Sequence, residues 1–319
     1  MWKYIIRRAI LTLPVLLIVS IITFSIMQLA PGDPAAIVLG GDYIMYATAQ
    51  EIEDVREAMG INKPPITQYF NWLGGFFVGN LGTSLFTTES VSYLVSQKIE
   101  ATVSTVFSGI FIAILLGIPM GVLAGWKMNT WIDRAVMIFA VLGFAIPGFW
   151  LAFNLIFLFS LKLGWFPVFG FRSLFTDGPV EFLRYSALPA ITLGVAFMAL
   201  IARMTRSSLV EVLSEDYIRT ARSKGLAERI VLTRHALRAA SMPVITVIGL
   251  VFAAAVTGTV ITETVFAIPG MGRMFVKAVG DRDFPIIQGL MMIFATSYVF
   301  LNLIVDIIYA FLDPRVRYS

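Results

Sequence analysis

The sequence predicts an all-α polytopic membrane protein with six transmembrane helices, and three observations carry that prediction. Of 319 residues, 58% are hydrophobic and 14% are charged, where soluble domains hold ~45–50% apolar and ~25% charged residues. The mean hydropathy is +0.84, more apolar side chain than one water-facing globule can bury. The apolar residues gather into long runs without alternation, so the backbone satisfies itself in lipid as helices and not as a barrel. The same composition excludes a disordered chain. The absence of Cys excludes a disulfide scaffold and a thiolate metal site. A single His, His235, leaves no His cluster for a transition metal.

Six stretches free of Asp, Glu, Lys and Arg are strongly apolar: residues 9–32, 101–126, 135–161, 185–202, 239–262 and 284–305. A hydrocarbon core ~30 Å thick needs about 20 helical residues. All six reach that length, the fourth only just. The first is too long for a cleaved signal peptide and is expected to persist as an anchor. Residues 33–100 are then an extracytoplasmic segment. Residues 101–312 form a five-span core with a cytoplasmic loop at 203–238, within a single domain spanning 1–319.

Three polar stretches need separate readings. Residues 64–88 are uncharged but broken by Pro64, Pro65, Asn71, Gly74 and Gly75. They read as short helices on the membrane surface, with Trp72, Phe76 and Phe77 dipping in. Residues 165–176 look similar. Residues 51–59 carry Glu51, Glu53, Asp54 and Glu57, the pattern of a solvated helix face or a docking patch.

Charge sets the orientation. With the N-terminus inside, the inner segments hold 15 of the 24 Lys and Arg, eight of them within 203–238. A seventh span at 64–88 would place that loop outside, against the cytoplasmic bias of basic residues. Six spans with both termini cytoplasmic follow. Trp2, Trp126, Trp131 and Trp165 fall at span ends, where interfacial Trp belongs. The net charge of +4 reflects the basic inner loops and contact with membrane lipid, with no nucleic acid implied. Pro119 and Pro147 fall inside spans and predict kinks.

The loop 203–238 reads as two helices. Ser214 is expected to cap the first, with Glu215 and Asp216 in its first turn. Arg219 lies four residues from Glu215 and three from Asp216, both pairing distances on a helix. Gly225 supplies the stop. The second helix, about residues 227–240, runs toward Pro243, which is expected to open the next span. Two short helices between two spans make a stiff cytoplasmic knob. It is either a linker resting on anionic lipid or a docking surface for a soluble partner.

The segment Asp216-Tyr-Ile-Arg-Thr-Ala-Arg-Ser-Lys-Gly225 through Arg234-His-Ala-Leu-Arg238 resembles the cytoplasmic loop of bacterial ABC importer permeases of the dipeptide/oligopeptide/nickel branch. Gly225, Ala221 and Leu237 occupy the family's positions. Arg219, Thr220, His235 and Arg238 replace its usual Glu, Ala, Ile and Pro, so the general motif is degraded while the branch variant is retained. Other segments agree in order: Leu29-Ala-Pro-Gly-Asp-Pro34, Ile146-Pro-Gly-Phe-Trp150, Leu163-Gly-Trp-Phe-Pro167, Glu263-Thr-Val-Phe266, Pro269-Gly-Met-Gly-Arg273, Arg282-Asp-Phe-Pro285, Asp306-Ile-Ile-Tyr309 and Leu312-Asp-Pro-Arg315.

The resemblance implies the type I permease fold of ABC importers in a bacterial cytoplasmic (inner) membrane. It implies a second homologous permease subunit, two ATP-binding subunits and an extracytoplasmic solute-binding protein as partners. ATP and Mg are used by those partners. This chain is expected to bind no cofactor and no metal and to hold no catalytic residue, and it has no Gly-x4-Gly-Lys-Ser/Thr phosphate loop. The role of ATPase coupling falls by resemblance on Tyr217, Arg219, Thr220, Ala221, Arg222, Lys224, Gly225, His235 and Leu237. Phe266, Pro269, Gly270, Met271, Gly272 and Arg273 form a compact outer loop facing the binding protein, or else an ordinary helix connection. Asn154 lies mid-span and either lines the pathway or bonds a helix neighbour. Peptides are the first substrate expectation, with glutathione, nickel chelates and oligosaccharides as alternatives. An ion-coupled secondary transporter is the competing class, and it would use Glu263 or Asp306 as a proton site. Both carboxylates sit near span ends and otherwise read as interfacial residues paired with neighbours.

Overall fold

The computed structural model describes residues 2–29, 35, 48–59 and 62–312. Most of the motif at 29–34, residues 313–315 of the closing motif, and the inner charges Arg315 and Arg317 lie outside the described residues. Those that are described are helical apart from loops and one isolated bridge between Thr83 and Ser90. Among the described residues five helices are long and apolar enough to cross a bilayer, and a bent pair makes a sixth crossing if counted as one.

Helix α1 (Trp2–Leu29) is apolar beyond its first turns and leaves Ile10, Leu13 and Ile18 exposed. The short α2 (Ala49–Met59) opens with a capping box: the backbone N–H of Thr48 donates to Glu51 Oε2 at 2.7 Å, and the Glu51 N–H to Thr48 Oγ1 at 3.3 Å. The acids of 51–59 are thus a solvated face. The polar stretch at 64–88 forms one helix, α3 (Pro65–Phe77), with Pro at its first position. It lies along the outer part of α1 through Tyr69 and Trp72, which pack on Phe24, and through a 2.7 Å hydroxyl pair between Ser20 and Tyr69. Trp72 therefore faces protein, and Ile66, Phe70 and Phe77 are the exposed apolar residues of α3. Residues 165–176 form an irregular loop, not the surface helix expected.

The centre of the molecule is α4 (Val91–Trp126) packed along α7 (Pro179–Leu213). Gly109, Ala113, Gly117, Gly121 and Gly125 recur every fourth residue on α4, and all are buried. That row lets the two backbones touch. A Cβ on Gly121 would sit 2.5 Å from the Ala202 carbonyl oxygen, and one on Gly194 of α7 would sit 2.7 Å from that of Gly109. Val106, Ile110, Leu193, Met198 and Ile201 fill the contact together with Val244 and Val251 from α9 (Glu228–Val265). Helices α10 (Met271–Asp281) and α11 (Phe284–Leu312) complete the outer and lateral faces.

Two span expectations are corrected. Residues 135–161 are not one continuous helix but a bent pair, α5 (Trp131–Ala145) and α6 (Gly148–Lys162), meeting at 100°. The cause is Pro147, which lacks an N–H and holds Ile146 in an extended conformation (φ −73°, ψ 125°). Pro243, expected to open a span, lies inside α9. A π-wound stretch at Val231–Ala236 precedes it, and the helix runs unbroken from Glu228.

Candidate functional site

The knob predicted between the fourth and fifth spans is smaller than the loop 203–238. Helix α7 continues through Arg203 and Arg206 to Leu213, so the knob reduces to the short α8 (Asp216–Ser223) and the turn into α9. Ser214 does not cap α8. It closes α7, and its Oγ donates to the Glu211 carbonyl at 2.6 Å. The residue before α8 is Glu215, extended at φ −69°, ψ 146°, with no side-chain cap bond. Arg219 pairs with Asp216 at 3.4 Å and meets Glu215 through the backbone.

One face of α8 is apolar and buried. Ile218 and Ala221 sit on Leu209 of α7 and on Val231 and Leu232 of α9. Ala221 and the half-buried Leu237 therefore serve the chain's own packing. The other face presents Tyr217, Arg219, Thr220, Arg222 and Lys224 to solvent. Partial desolvation raises the Tyr217 hydroxyl above its ordinary pKa, and the Glu215 charge adds to the effect. The helix ends in a Schellman turn: the Leu226 N–H reaches the Ala221 carbonyl at 3.4 Å and the Gly225 N–H that of Arg222 at 2.9 Å. Gly225 has φ +76° with nothing within 4 Å of a Cβ position, so backbone conformation alone requires Gly there. Across this turn Arg222 grips Glu228 with two bonds, of 2.7 and 3.2 Å, and that carboxylate raises the Arg222 pKa further. His235 is half-buried on the π-wound stretch.

The outer loop is built around a carboxylate. Glu263 is wholly buried near the end of α9. Its Oε1 accepts the Thr102 hydroxyl at 2.6 Å, and its Oε2 accepts the Arg273 N–H at 3.0 Å. The Thr102 oxygen in turn accepts the Met271 N–H at 2.8 Å. A Cβ on Gly270 would lie 2.3 Å from the Glu263 carboxyl carbon, and one on Gly272 would lie 2.7 Å from the Val260 Cα. Phe266 and Met271 are buried, and the Phe266 carbonyl accepts the Gly170 N–H at 3.0 Å. Of the six loop residues expected to face a binding protein, Pro269 and Arg273 are exposed. Arg273 also borders an outer cavity of about 360 Å³ with Lys98, Lys277, Phe86 and Asp281.

The remaining candidates have partners of their own. Asn154 is exposed and donates to the Trp150 carbonyl at 2.7 Å, a bond within its own helix. Asp306 pairs with Arg8 at 2.9 Å, joining α11 to α1. No group of His, Cys, Asp and Glu suited to a metal occurs among the described residues.

Sequence reasoning missed one cluster at the inner end. Asp133 on α5 is 4% exposed and takes both arms of Arg206 on α7, at 2.5 and 2.7 Å, plus the Asn129 N–H at 3.0 Å. An acid at the third position of a helix ordinarily serves the helix dipole. Nothing local in the sequence links it to an arginine 73 residues away.

Comparison with known proteins agrees with this architecture. Residues 117–318 match the family of binding-protein-dependent transport system inner membrane components, and residues 1–107 match the N-terminal part of such membrane components. The chain is 41% identical to a probable peptide ABC transporter permease protein from Sinorhizobium fredii, over 100% of both chains. It is 39% identical to a dipeptide transport system permease protein from Alkalihalophilus pseudofirmus and 37% identical to a glutathione transport system permease protein from Escherichia coli, again over 100% of each chain. Among solved structures it resembles a chain of the methionine ABC transporter MetNI in an inward-facing conformation. That match has a TM-score of 0.56 at 17% identity and covers 69% of this chain and 97% of that one. An amino acid ABC transporter gives 0.52 at 14% identity, covering 69% and 94%. These structures share the fold. With the family matched over most of its length and relatives aligned end to end, the chain belongs to the inner-membrane permease components of binding-protein-dependent ABC transport systems.

Proposed function

We propose that this permease moves di- and oligopeptides inward after an extracytoplasmic solute-binding protein delivers them, driven by ATP hydrolysis on partner subunits. The observation that carries the reading is the α8 knob, whose apolar face is seated on two core helices while its polar face is free for a partner. The substrate class rests on the relatives, which are named for peptides, dipeptides and glutathione, itself a peptide. The partners are a second homologous permease and two ATP-binding subunits, which use ATP and Mg. This chain contributes no catalytic group, and both termini are cytoplasmic.

The mechanism is mechanical. An ATP-binding subunit grips Tyr217, Arg219, Thr220 and Lys224, and its closure displaces α8. Ile218 bears on Leu209 of α7 and on Val231 of α9, so the displacement reaches two of the three helices that form the core. A tenfold shift between inward and outward states needs ~1.4 kcal/mol of differential docking energy, about the worth of one charge-assisted hydrogen bond. On the outer side, Pro269 and Arg273 face the donor, and Lys98 and Lys277 supply positive charge beside them. Glu263 and Asp306 are both engaged in holding elements together, which leaves neither free to carry a proton across.

The test is uptake of radiolabelled dialanine into vesicles holding this chain with the subunits that copurify in mild detergent. The reading expects accumulation that needs external donor protein and internal ATP. Uptake driven by a proton gradient without ATP, or accumulation of nickel chelates or oligosaccharides in place of peptides, would overturn it.

A further inference from the structure

The Asp133–Arg206 pair stands at the inner end of the molecule, where α5 begins and α7 approaches α8. Arg206 lies on the same helix as Leu209, which carries α8, and Gly125 of α4 packs so closely there that a Cβ would be 3.1 Å from Leu209 and 3.2 Å from the Arg206 carbonyl oxygen. Asp133 is rigidly placed. Its carboxylate closes the α4–α5 turn through the N–H of Asn129, a residue with φ +63°. Further along, α5 meets α7 through small or one-sided contacts: Ala140 against Ala199 and Ala202, and Gly143 against Val195. Such contacts resist compression but carry little pull. A two-armed guanidinium–carboxylate pair with its acid out of water resists displacement in every direction.

We propose that Asp133 and Arg206 are a positioning pair that transmits displacement of α8 to the bent helices α5 and α6. This rests on the ATP-driven reading above. α7 alone would carry the motion up the central post with α4. The pair adds a second branch, dragging the start of α5 and so changing the 100° corner between α5 and α6. The role assigned to both residues involves no contact with substrate or nucleotide. Their effect is on how much transport each hydrolysed ATP yields.

The experiment measures dialanine taken up per ATP hydrolysed in vesicles holding the whole complex. Four versions are compared: the natural chain, Asp133→Asn, Asp133→Glu and Arg206→Lys. Asp133→Asn removes the charge at constant size, and Arg206→Lys keeps charge but loses the two-armed grip. The inference expects the uptake-to-ATP ratio to fall at least about fivefold in Asp133→Asn and Arg206→Lys, with ATP hydrolysis maintained. Asp133→Glu, which keeps the carboxylate, should recover most of the ratio. Arg206 is 30% exposed on its side chain, so Arg206→Lys keeps its charge near water and carries the test if Asp133→Asn assembles poorly. A natural ratio in Arg206→Lys would refute the proposal, as would loss of ratio and assembly together in Asp133→Glu, because both mark a purely structural pair. If the natural complex itself shows no ATP-driven uptake, the broader reading fails first, and the two failures are thereby distinguished.

Discussion

Two glycine-dependent turns cap opposite ends of the molecule, and they need glycine for opposite reasons. At the inner turn Gly225 has open space around it but a left-handed backbone, φ +76°. At the outer turn Gly270 has an ordinary backbone, φ −99°, but no space, because the Glu263 carboxylate fills the position of a Cβ. The inner turn is thus a local device that can be moved as a unit. The outer turn is welded to α4 and α9 through a buried acid. In the proposed mechanism the first end meets the ATP-binding subunit and the second meets the donor, the division expected of a coupler and a gatepost.

The sharpest way to break the comparison is Gly270→Ala. The new methyl must push the Glu263 carboxylate off both its donors, at a cost of about 3 kcal/mol from overpacking and lost bonds. In a Glu263→Ala background the same substitution should cost less than about 1 kcal/mol, since the obstruction is gone. Thermal unfolding of the four proteins in detergent measures the difference, and additive losses would show that the carboxylate is not what excludes the methyl. Next comes Gly225. Alanine there should cost about 1–2 kcal/mol, the price of a left-handed conformation with a Cβ, and Asn distinctly less. Gly225→Val should also uncouple uptake from ATP hydrolysis while leaving membrane insertion intact. Equal stability for Gly, Asn and Ala at this site would remove the backbone argument.

Arg222→Glu is smaller in stability and larger in function. The Arg222–Glu228 grip is partly exposed, so its loss should cost at most about 1 kcal/mol, and less at high salt. Uptake per ATP should nevertheless drop, because the repulsion between the two acids splays α8 from α9. Melting at low and high salt beside vesicle uptake tests both halves. The mildest effect concerns the outer loop near 172–177. Asp177 accepts the Ser173 N–H at 2.8 Å, which together with the Thr176 hydroxyl and Arg172 holds its carboxylate below the ordinary pKa. Its contribution is therefore present above the usual carboxylate range, near ~4, and is lost only as pH falls through the lower folded value. Hydrogen exchange of residues 172–178 should stay slow at pH 4 and quicken below it, and Asp177→Asn should remove that dependence.

What was legible in the sequence was whatever is local. The apolar runs, the Gly225 stop, the solvated acids of α2 and the Pro147 break all follow from residues within a few positions of one another. What failed or stayed hidden depends on distant partners. Ser214 had the chemistry of a cap, but α7 runs on to use it as an ending. Pro243 looked like a helix start, yet α9 is already under way, so the proline is absorbed in its interior. Glu263 read as an interfacial acid, since only the fold brings it to Thr102, 161 residues away. The direction of α8 followed the same rule: pattern suggested a knob, but only packing revealed that Ala221 turns inward and Arg222 back toward Glu228.

The corner at Ile146–Pro147 makes a demand on the surrounding lipid. Helices α5 and α6 have 15 residues each, at most about 22 Å of rise at ~1.5 Å per residue, and neither alone crosses a ~30 Å hydrocarbon layer. The first N–H groups of α6 and the last carbonyls of α5 have no partners along their own helices. Hydrocarbon cannot serve them. Wherever this corner lies at the depth of the hydrocarbon, the bilayer beside the subunit is not a uniform slab. At the corner it must either thin and admit water or give way to a neighbouring chain, and a membrane of altered thickness would act on this protein at that point first.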